Sequence, residues 1–170
     1  YNDINVIQIR FEKPEDIAFI RSVNEQAFDS LAEAKLVDKL RLTCSEYLSL
    51  VADDNGSIVG HIMFTPVLVT GVKQKTQGMG LAPMAVLPSR QRQGIGTMLV
   101  KYSLQILREK KCPFVIVLGH PDYYPRFGFQ PAFRFKIRSQ WEDIPDKAFM
   151  VLFMDDNAMK NVSGVATFRE

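Results

Sequence analysis

The apolar positions of the chain fall into short runs with two different periodicities, which predict strands and helices. Residues 81–87 are apolar throughout, a pattern typical of a strand that is buried on both faces. Pro88 and Ser89 end that run. From Ile95 onward the apolar residues recur at helical spacing, at Ile95, Met98, Leu99, Tyr102, Ile106 and Leu107. The segment therefore predicts a strand, a basic turn and a long helix.

Similar patterns before and after this segment predict further elements. Residues 6–11 form a first strand, Pro14 begins a helix, and the Ser-x-x-Glu sequence at residues 30–33 is a capping box that begins a second helix. Residues 53–56, Asp-Asp-Asn-Gly, connect the strands of a hairpin. The remaining predicted strands are residues 48–52, 57–65, 78–87, 114–118, 133–137, 149–153 and 165–168, and residues 138–147 form a loop that carries Trp141.

The order of these elements predicts the α/β class. A strand–helix–strand crossover between residues 78 and 118 requires a parallel pair of strands, whereas the hairpins around it are antiparallel. We therefore expect a mixed sheet with helices on both faces. Because 170 residues suffice for one hydrophobic core, we predict a single domain over residues 1–170.

The composition argues against several classes of function. The chain has 21 Lys and Arg against 19 Asp and Glu, a net charge of +2, which is too even to favour a nucleic acid or a membrane surface as partner. Its apolar runs are far shorter than the roughly 18–20 residues that span a bilayer, and no signal-peptide pattern is present. Cys44 and Cys112 form neither a disulfide framework nor a metal site, so we expect no metal and a cytoplasmic location.

The turn before the long helix has the composition of an anion site. The first N–H groups of a helix are unpaired and lie at the positive end of its dipole, and Gly94 and Gly96 would allow a ligand to approach them. Arg90 and Arg92 add positive charge there. A dinucleotide fingerprint would need a third glycine and a P-loop would need Gly-Lys-Ser/Thr, and the chain has neither.

Two motifs in this chain resemble those of the GNAT superfamily of N-acetyltransferases. The first is Val86-x-Pro88-x-x-Gln91-x-x-Gly94-x-Gly96, and the second, Tyr-x-x-x-Gly-Phe, spans residues 124–129 after the next strand. Their order and spacing match the family, and the resemblance extends over nearly the whole chain. It is strongest to bacterial members that carry the sequence His-Pro-x-Tyr-Tyr-Pro-Arg-Phe-Gly-Phe, found here at residues 120–129.

The resemblance implies a fold and a cosubstrate. The fold has a mixed, mostly antiparallel sheet whose fourth and fifth strands splay apart to admit acetyl-CoA, and Pro83 suits such an irregular strand. Backbone groups of Met84, Ala85 and Val86 would pair with the pantetheine arm. Arg126 would contact a coenzyme phosphate. The loop residues that would hold the pyrophosphate, mainly through backbone N–H groups, are Gln91, Arg92, Gln93, Gly94, Ile95, Gly96 and Thr97.

By its position in the second motif, Tyr124 is the candidate general acid. When an amine attacks the thioester, coenzyme A leaves as a thiolate that must be protonated, and a phenol can donate that proton. Tyr123 is the rival candidate. The acceptor amine must lose a proton first, and for an amine of pKa about 10.4 this costs roughly 4.6 kcal/mol at neutral pH.

The group that takes this proton is less well defined. Many members of the family have a carboxylate or histidine on the fourth or fifth strand, but residues 81–87 and 114–118 contain no ionisable side chain. His120, directly after the fifth strand, is the candidate base, and His61, Glu25 and a relay of water molecules are the alternatives. Cys112 lies at the start of a strand without a neighbouring base in sequence, so we expect an inert thiol.

The sequence thus predicts an enzyme that transfers an acetyl group from acetyl-CoA to a primary amine by direct attack in a ternary complex. The acceptor is a small molecule or a peptide, and Phe28 and Leu31 are candidates for shaping its entrance. A homodimer paired through the C-terminal strand is possible. The alternative is a non-catalytic acyl-CoA sensor that lacks a productive base.

Overall fold

The computed structural model describes residues 6–168. Its strands are β1 (Ile7–Phe11), β2 (Leu48–Asp54), β3 (Ser57–Thr70), β4 (Lys75–Val86), β5 (Phe114–Leu118), β6 (Gln130–Pro131), β7 (Ile137–Ser139), β8 (Phe149–Phe153) and β9 (Gly164–Phe168). Its helices are α1 (Ile17–Phe28), α2 (Ala32–Thr43), α3 (Ile95–Glu109) and α4 (Asp156–Asn161). The described residues form two compact units, an N-terminal unit of residues 6–64 and 83–104 and a C-terminal unit of residues 65–82 and 105–168.

The N-terminal unit is built on an antiparallel meander. Strand β1 pairs with β2, and β2 pairs with β3, each in antiparallel register. The hairpin between β2 and β3 closes through Asn55 and Gly56, whose φ angles of 50° and 95° are those of a two-residue turn that follows the twist of the strands. Helices α1 and α2 bury one face against this meander, and the shared core comprises Ile20, Val23, Val37, Leu40, Val51, Ile58, Met63 and Ala85.

Helix α2 begins differently from the sequence expectation. Asp29, with a φ of 48°, ends α1 in the left-handed conformation. The Ser30 hydroxyl then accepts a hydrogen bond from the N–H of Ala32 at 3.1 Å rather than from the N–H of Glu33. The predicted capping box therefore does not form, because it requires the hydroxyl to accept the N–H three residues later. The predicted helix does form.

The C-terminal unit contains parallel and antiparallel strand pairs. Residues Met79–Leu81 of β4 pair in parallel with Val115–Val117 of β5, and β8 pairs antiparallel with both β5 and β6. Strand β9 is antiparallel to β3 and parallel to the short β7. The buried core between these elements includes Phe114, Ile116, Ile137, Phe149 and Val151. The mixed, mostly antiparallel α/β class predicted from the sequence is confirmed.

Two further local expectations are wrong, and one helix was not predicted. Residues 133–137 were expected to form a strand, but Ala132–Phe135 is a 3-10 turn that ends at Lys136 with a φ of 58°. Helix α4 was not predicted; it is capped by Asp155, whose carboxylate accepts the N–H of Ala158 at 2.6 Å. Strand β4 is not buried on both faces either, because its burial alternates between Leu81, Pro83 and Ala85 (buried) and Ala82, Met84 and Val86 (half-buried).

The parallel ladder between the fourth and fifth strands is short. The described parallel ladder between β4 and β5 ends at the pair Leu81–Val117, five residues before β4 ends at Val86. Strand β5 itself ends at Leu118, one residue after this pair, and the splay expected from the family resemblance stays a prediction. Within residues 6–168, no helix is long and apolar enough to cross a membrane.

Candidate active site

The glycine loop, residues 88–94, connects β4 to α3 in the N-terminal unit. A 3-10 turn at Pro88–Arg90 starts the loop, and two residues near its end have left-handed backbones, Arg92 with a φ of 62° and Gly94 with a φ of 84°. A Cβ atom added at Gly94 would meet nothing within 4 Å. Glycine therefore suits this position because of its backbone conformation, and the space beside it is open.

Helix α3 begins directly after Gly94. The N–H of Met98 donates to the carbonyl of Gly94 at 3.0 Å, so the N–H groups of residues 95–97 precede the first bond of the helix and have no acceptor within it. The start of the helix is anchored by Ile95 and Leu99, which are both buried. A Cβ atom at Gly60 of β3 would lie 3.1 Å from both of these side chains, so the glycine allows the helix to pack closely on the strand.

The two arginines near the helix start have different environments. Arg90 is engaged: its Nη1 donates to Asp54 Oδ2 at 2.8 Å and its Nε donates to Gln93 Oε1 at 3.1 Å. Arg92 is exposed and makes no hydrogen bond or ion pair with another described residue. Of the two predicted cations, Arg92 is therefore the one whose charge is free.

The end of β4 is held from both sides within the N-terminal unit. Ala85 belongs to the core, whereas Met84 and Val86 are half-buried. The side-chain amide of Gln91 donates to the carbonyl of Val86 at 3.1 Å, and the N–H of Leu87 donates to the carbonyl of Val59 at 2.9 Å. Gln91 thus stabilises the turn between strand and loop.

The tyrosine turn, residues 119–128, lies in the C-terminal unit and is held by aromatic packing. Tyr124 is 7% exposed, and its ring makes edge-to-face contacts with Tyr123 and Phe129 at centroid distances of 5.1 and 5.7 Å. A Cβ atom at Gly119 would come within 2.3 Å of the Tyr124 ring, so only glycine accommodates it. Burial raises the pKa of the Tyr124 phenol above its usual value, with a smaller contribution from Tyr123. The phenol is therefore protonated at neutral pH.

His120 and Arg126 lie at the surface of the same turn. The His120 side chain is exposed, and its backbone carbonyl accepts the N–H groups of Tyr123 and Tyr124 at 3.1 and 3.4 Å. The guanidinium carbon of Arg126 lies 4.4 Å from the centroid of the Tyr123 ring, and its Nε donates to the Tyr123 carbonyl at 2.9 Å. The turn thus brings together the predicted acid, the predicted base and the predicted phosphate ligand of this unit.

Comparisons with known proteins identify the family. The model of the acetyltransferase (GNAT) family matches residues 17–129. This chain belongs to the GNAT family. The chain is 38% identical over 163 residues to the uncharacterised N-acetyltransferase YhbS of Escherichia coli K12, and the match covers 95% of this chain and 96% of that protein. The acetyltransferase activity expected from the two motifs is thereby confirmed at the level of the enzyme class.

Solved structures of this family agree with the fold. The crystal structure of YhbS from Escherichia coli in complex with CoA has a TM-score of 0.91 and 35% identity, covering 100% of this chain and 93% of that one. The structure of a GNAT acetyltransferase from Brucella melitensis in complex with acetyl-CoA has a TM-score of 0.77 and 34% identity, covering 97% of each chain.

The geometry argues against His61 as the base of this GNAT enzyme. His61 is fully buried, its Nδ1 lies 3.2 Å from Asn24 Nδ2 and its Nε2 lies 2.9 Å from Ser49 Oγ. Since the same Asn24 amide also donates to the Ile20 carbonyl, Nδ1 is the acceptor and Nε2 carries the proton. Burial, with a smaller effect of Arg41, lowers the pKa of His61 to about 3, so the ring is neutral and enclosed. Glu25 accepts a hydrogen bond from Arg21 at 3.0 Å.

Cys112 has the environment of an inert thiol. Its Sγ donates to the carbonyl of Phe114 at 3.2 Å. Burial raises the pKa of the thiol, although hydrogen bonds with the backbone of Phe114 and Met79 oppose this shift. A nucleophilic cysteine needs a lowered pKa, so Cys112 is not suited to act as a nucleophile in this GNAT enzyme.

Sequence reasoning missed the contact between Asp54 and the glycine loop. Asp54 was predicted only as part of the hairpin turn, yet its carboxylate binds the arginine of the glycine loop. The two residues are separated by 36 positions, and no local pattern connects them. An acidic residue at the end of a hairpin is too common to have identified this contact.

Proposed function

We propose that this acetyltransferase binds acetyl-CoA at the glycine loop and transfers the acetyl group directly to a primary amine of a small molecule or a peptide. The observation that carries the binding step is the open helix start: three N–H groups without a helical acceptor, a left-handed Gly94 and the free cation Arg92. A diphosphate supplies the negative charge and the acceptor oxygens that such a site lacks. The relatives crystallised with CoA and acetyl-CoA support this assignment.

Residues of β4 and of the tyrosine turn extend the binding assignment. Backbone groups of Met84, Ala85 and Val86 are proposed to pair with the pantetheine arm, as the family resemblance implies. The half-buried side chains of Met84 and Val86 are compatible with a ligand along that strand. Arg126 is proposed as a further phosphate contact, for which its guanidinium would leave the Tyr123 ring.

Tyr124 is proposed as the general acid. The amine attacks the thioester carbonyl, the carbon–sulfur bond breaks, and the leaving thiolate takes the phenolic proton. Solvent then returns a proton to the phenolate. This role is supported by the place of Tyr124 in the second motif and by a phenol that is protonated at neutral pH. The raised pKa itself makes proton transfer to a thiolate less favourable, so it is not part of that support.

His120 is proposed as the group that receives the proton of the acceptor amine, and a water relay is the alternative. The support for His120 is its exposure and its place in the same turn as Tyr124, together with the enclosure of His61. Since a lysine-like ammonium is mostly protonated at neutral pH, turnover is expected to rise with pH up to the pKa of the acceptor.

Two measurements test the proposal. Calorimetry with CoA is expected to show one site per chain, and a lack of binding heat at several temperatures would contradict the binding step. A thiol-release assay with acetyl-CoA and a panel of primary amines is expected to show acceptor-dependent turnover. Binding without turnover on any amine would favour the acyl-CoA sensor.

A further inference from the structure

The ion pair between Asp54 and Arg90 connects the end of the β2–β3 hairpin to the glycine loop. The distance of 2.8 Å is that of a charge-assisted hydrogen bond, and the side chains are only 11% and 25% exposed, respectively. The pair is thus shielded from water over most of its surface, which is why it can fix a conformation that an exposed pair would not.

Arg90 extends this connection to the residue before Gly94. Its Nε donates to Gln93 Oε1 at 3.1 Å, so one guanidinium bridges the hairpin and the last side chain before the left-handed glycine. Two further contacts act in parallel within the N-terminal unit: the Leu87 N–H bonds to the Val59 carbonyl, and Gly60 packs closely under Ile95. The hairpin therefore supports the loop and the helix start at three points.

We propose that Asp54 and Arg90 are positioning residues that hold the glycine loop in the conformation that binds a diphosphate, and that Arg90 is not itself a phosphate ligand. This inference rests on the proposed binding of acetyl-CoA. Arg90 already has a carboxylate partner, and a phosphate would have to compete with it. Arg92, on the same loop, has no such partner among the described residues and supplies the charge.

The two roles of Arg90 predict opposite effects of removing Asp54. If Arg90 were a ligand, Asp54→Asn would free its guanidinium and remove a negative charge near the diphosphate, so CoA would bind more tightly. If the pair positions the loop, the same substitution releases Arg90 and Gln93 and binding weakens. The sign of the change in Kd therefore distinguishes the two roles.

The experiment measures the Kd of CoA by calorimetry for the wild type and for matched variants. Asp54→Asn and Arg90→Gln are each expected to raise Kd about fivefold to twentyfold, and the double variant is expected to bind no more weakly than the weaker single variant, because both changes break one interaction. Asp54→Glu, which keeps the carboxylate, is expected to stay within about threefold of the wild type.

Asp53→Asn is the matched control. Asp53 is the preceding residue of the same strand. Its carboxylate pairs with Arg10 at 3.0 Å and accepts the Gly56 N–H at 2.7 Å, a bond that an asparagine oxygen can also accept, and it does not contact the loop. Its removal subtracts the same charge from the same hairpin, so an unchanged Kd is expected. Tighter binding by Asp54→Asn, additive losses in the double variant or an equal loss in Asp53→Asn would overturn the inference. No binding by the wild type would instead contradict the proposed function.

Discussion

The glycine loop and the tyrosine turn are held by different kinds of interaction. Around the loop, polar side chains bond to one another and to the hairpin, whereas its left-handed glycine and the amides that follow stay open. In the turn, Tyr124 is enclosed by aromatic rings and by the backbone of Gly119. The loop thus suits an anionic ligand that supplies missing hydrogen bonds, and the turn suits a proton donor that must stay neutral.

The largest effect is expected from Tyr124→Phe. The phenylalanine ring keeps the packing against Tyr123 and Phe129 and lacks only the hydroxyl group that would donate the proton. Turnover in the thiol-release assay should fall by about 10²–10⁴-fold, which is the usual contribution of a general acid. The Kd of CoA measured by calorimetry should stay the same, because the loop is unchanged.

Tyr123→Phe is the matched control for this substitution, since it removes the hydroxyl of the adjacent tyrosine. Its turnover should remain within a few-fold of the wild type. A full loss of turnover in Tyr123→Phe alone would assign the proton to Tyr123. Equal losses in both variants would assign it to neither residue.

The second effect concerns the polar interactions of the N-terminal unit at low pH. Arg10 binds both oxygens of Asp16 at 2.7 and 3.0 Å, and the Lys13 N–H also donates to this carboxylate. The hydrogen bonds to Arg10 lower the pKa of Asp16, which is opposed by its burial. A lowered folded-state pKa stabilises the protein above the unfolded pKa of about 3.9 and loses this contribution as the pH falls through the folded value.

Asp16→Asn should therefore lower the free energy of unfolding by about 2 kcal/mol at pH 7 and by less near pH 3, below the unfolded pKa of about 3.9. Urea unfolding followed by circular dichroism at the two pH values measures the difference. The exposed neighbour Glu15 provides the control, Glu15→Gln, which should change stability little at either pH. An equal loss for Asp16→Asn at both pH values would show that the ion pair does not cause it.

The third effect is expected at Gly94, where the cost of a positive φ can be measured without a steric clash. Alanine at this position meets no atom within 4 Å but must adopt a φ near 84°, which costs about 1–2 kcal/mol. The Kd of CoA should therefore rise about tenfold if the loop relaxes to another conformation. Gly56→Ala is the control, because it also has open space and a positive φ but lies in the hairpin turn. Because Gly56 lies outside the loop but in the hairpin that supports it, the Kd of CoA should rise much less than for Gly94→Ala.

The local structure around the glycine loop could be predicted from the sequence, whereas contacts between distant residues could not. The start of α3 at Ile95 follows from the helical spacing of the apolar residues after Gly94. By contrast, Asp54 matters because Arg90, 36 positions away, folds back onto it. That contact has no sequence signature.

The strand prediction for residues 133–137 fails for the same reason, because it too depends on distant partners. Residues 133–137 alternate aromatic and basic side chains, which predicts a strand. The chain instead turns, because Phe135 packs edge-to-face on Phe153 of β8 at a centroid distance of 5.0 Å and Lys136 adopts a left-handed backbone. Tertiary packing overrides the local periodicity there.

The smallest effect is expected for Arg92→Gln, and its dependence on salt is the informative part. Arg92 is exposed and unpaired among residues 6–168, so its attraction for a diphosphate is screened by water and amounts to about 0.5–1 kcal/mol. The Kd of CoA should rise about threefold at low salt and approach the wild-type value near 1 M salt. Lys101→Gln removes an exposed charge farther along α3 and should have no such effect. A loss for Arg92→Gln that persists at high salt would indicate a specific hydrogen bond to phosphate, and the loop would then recognise its ligand through a side chain as well as through its backbone.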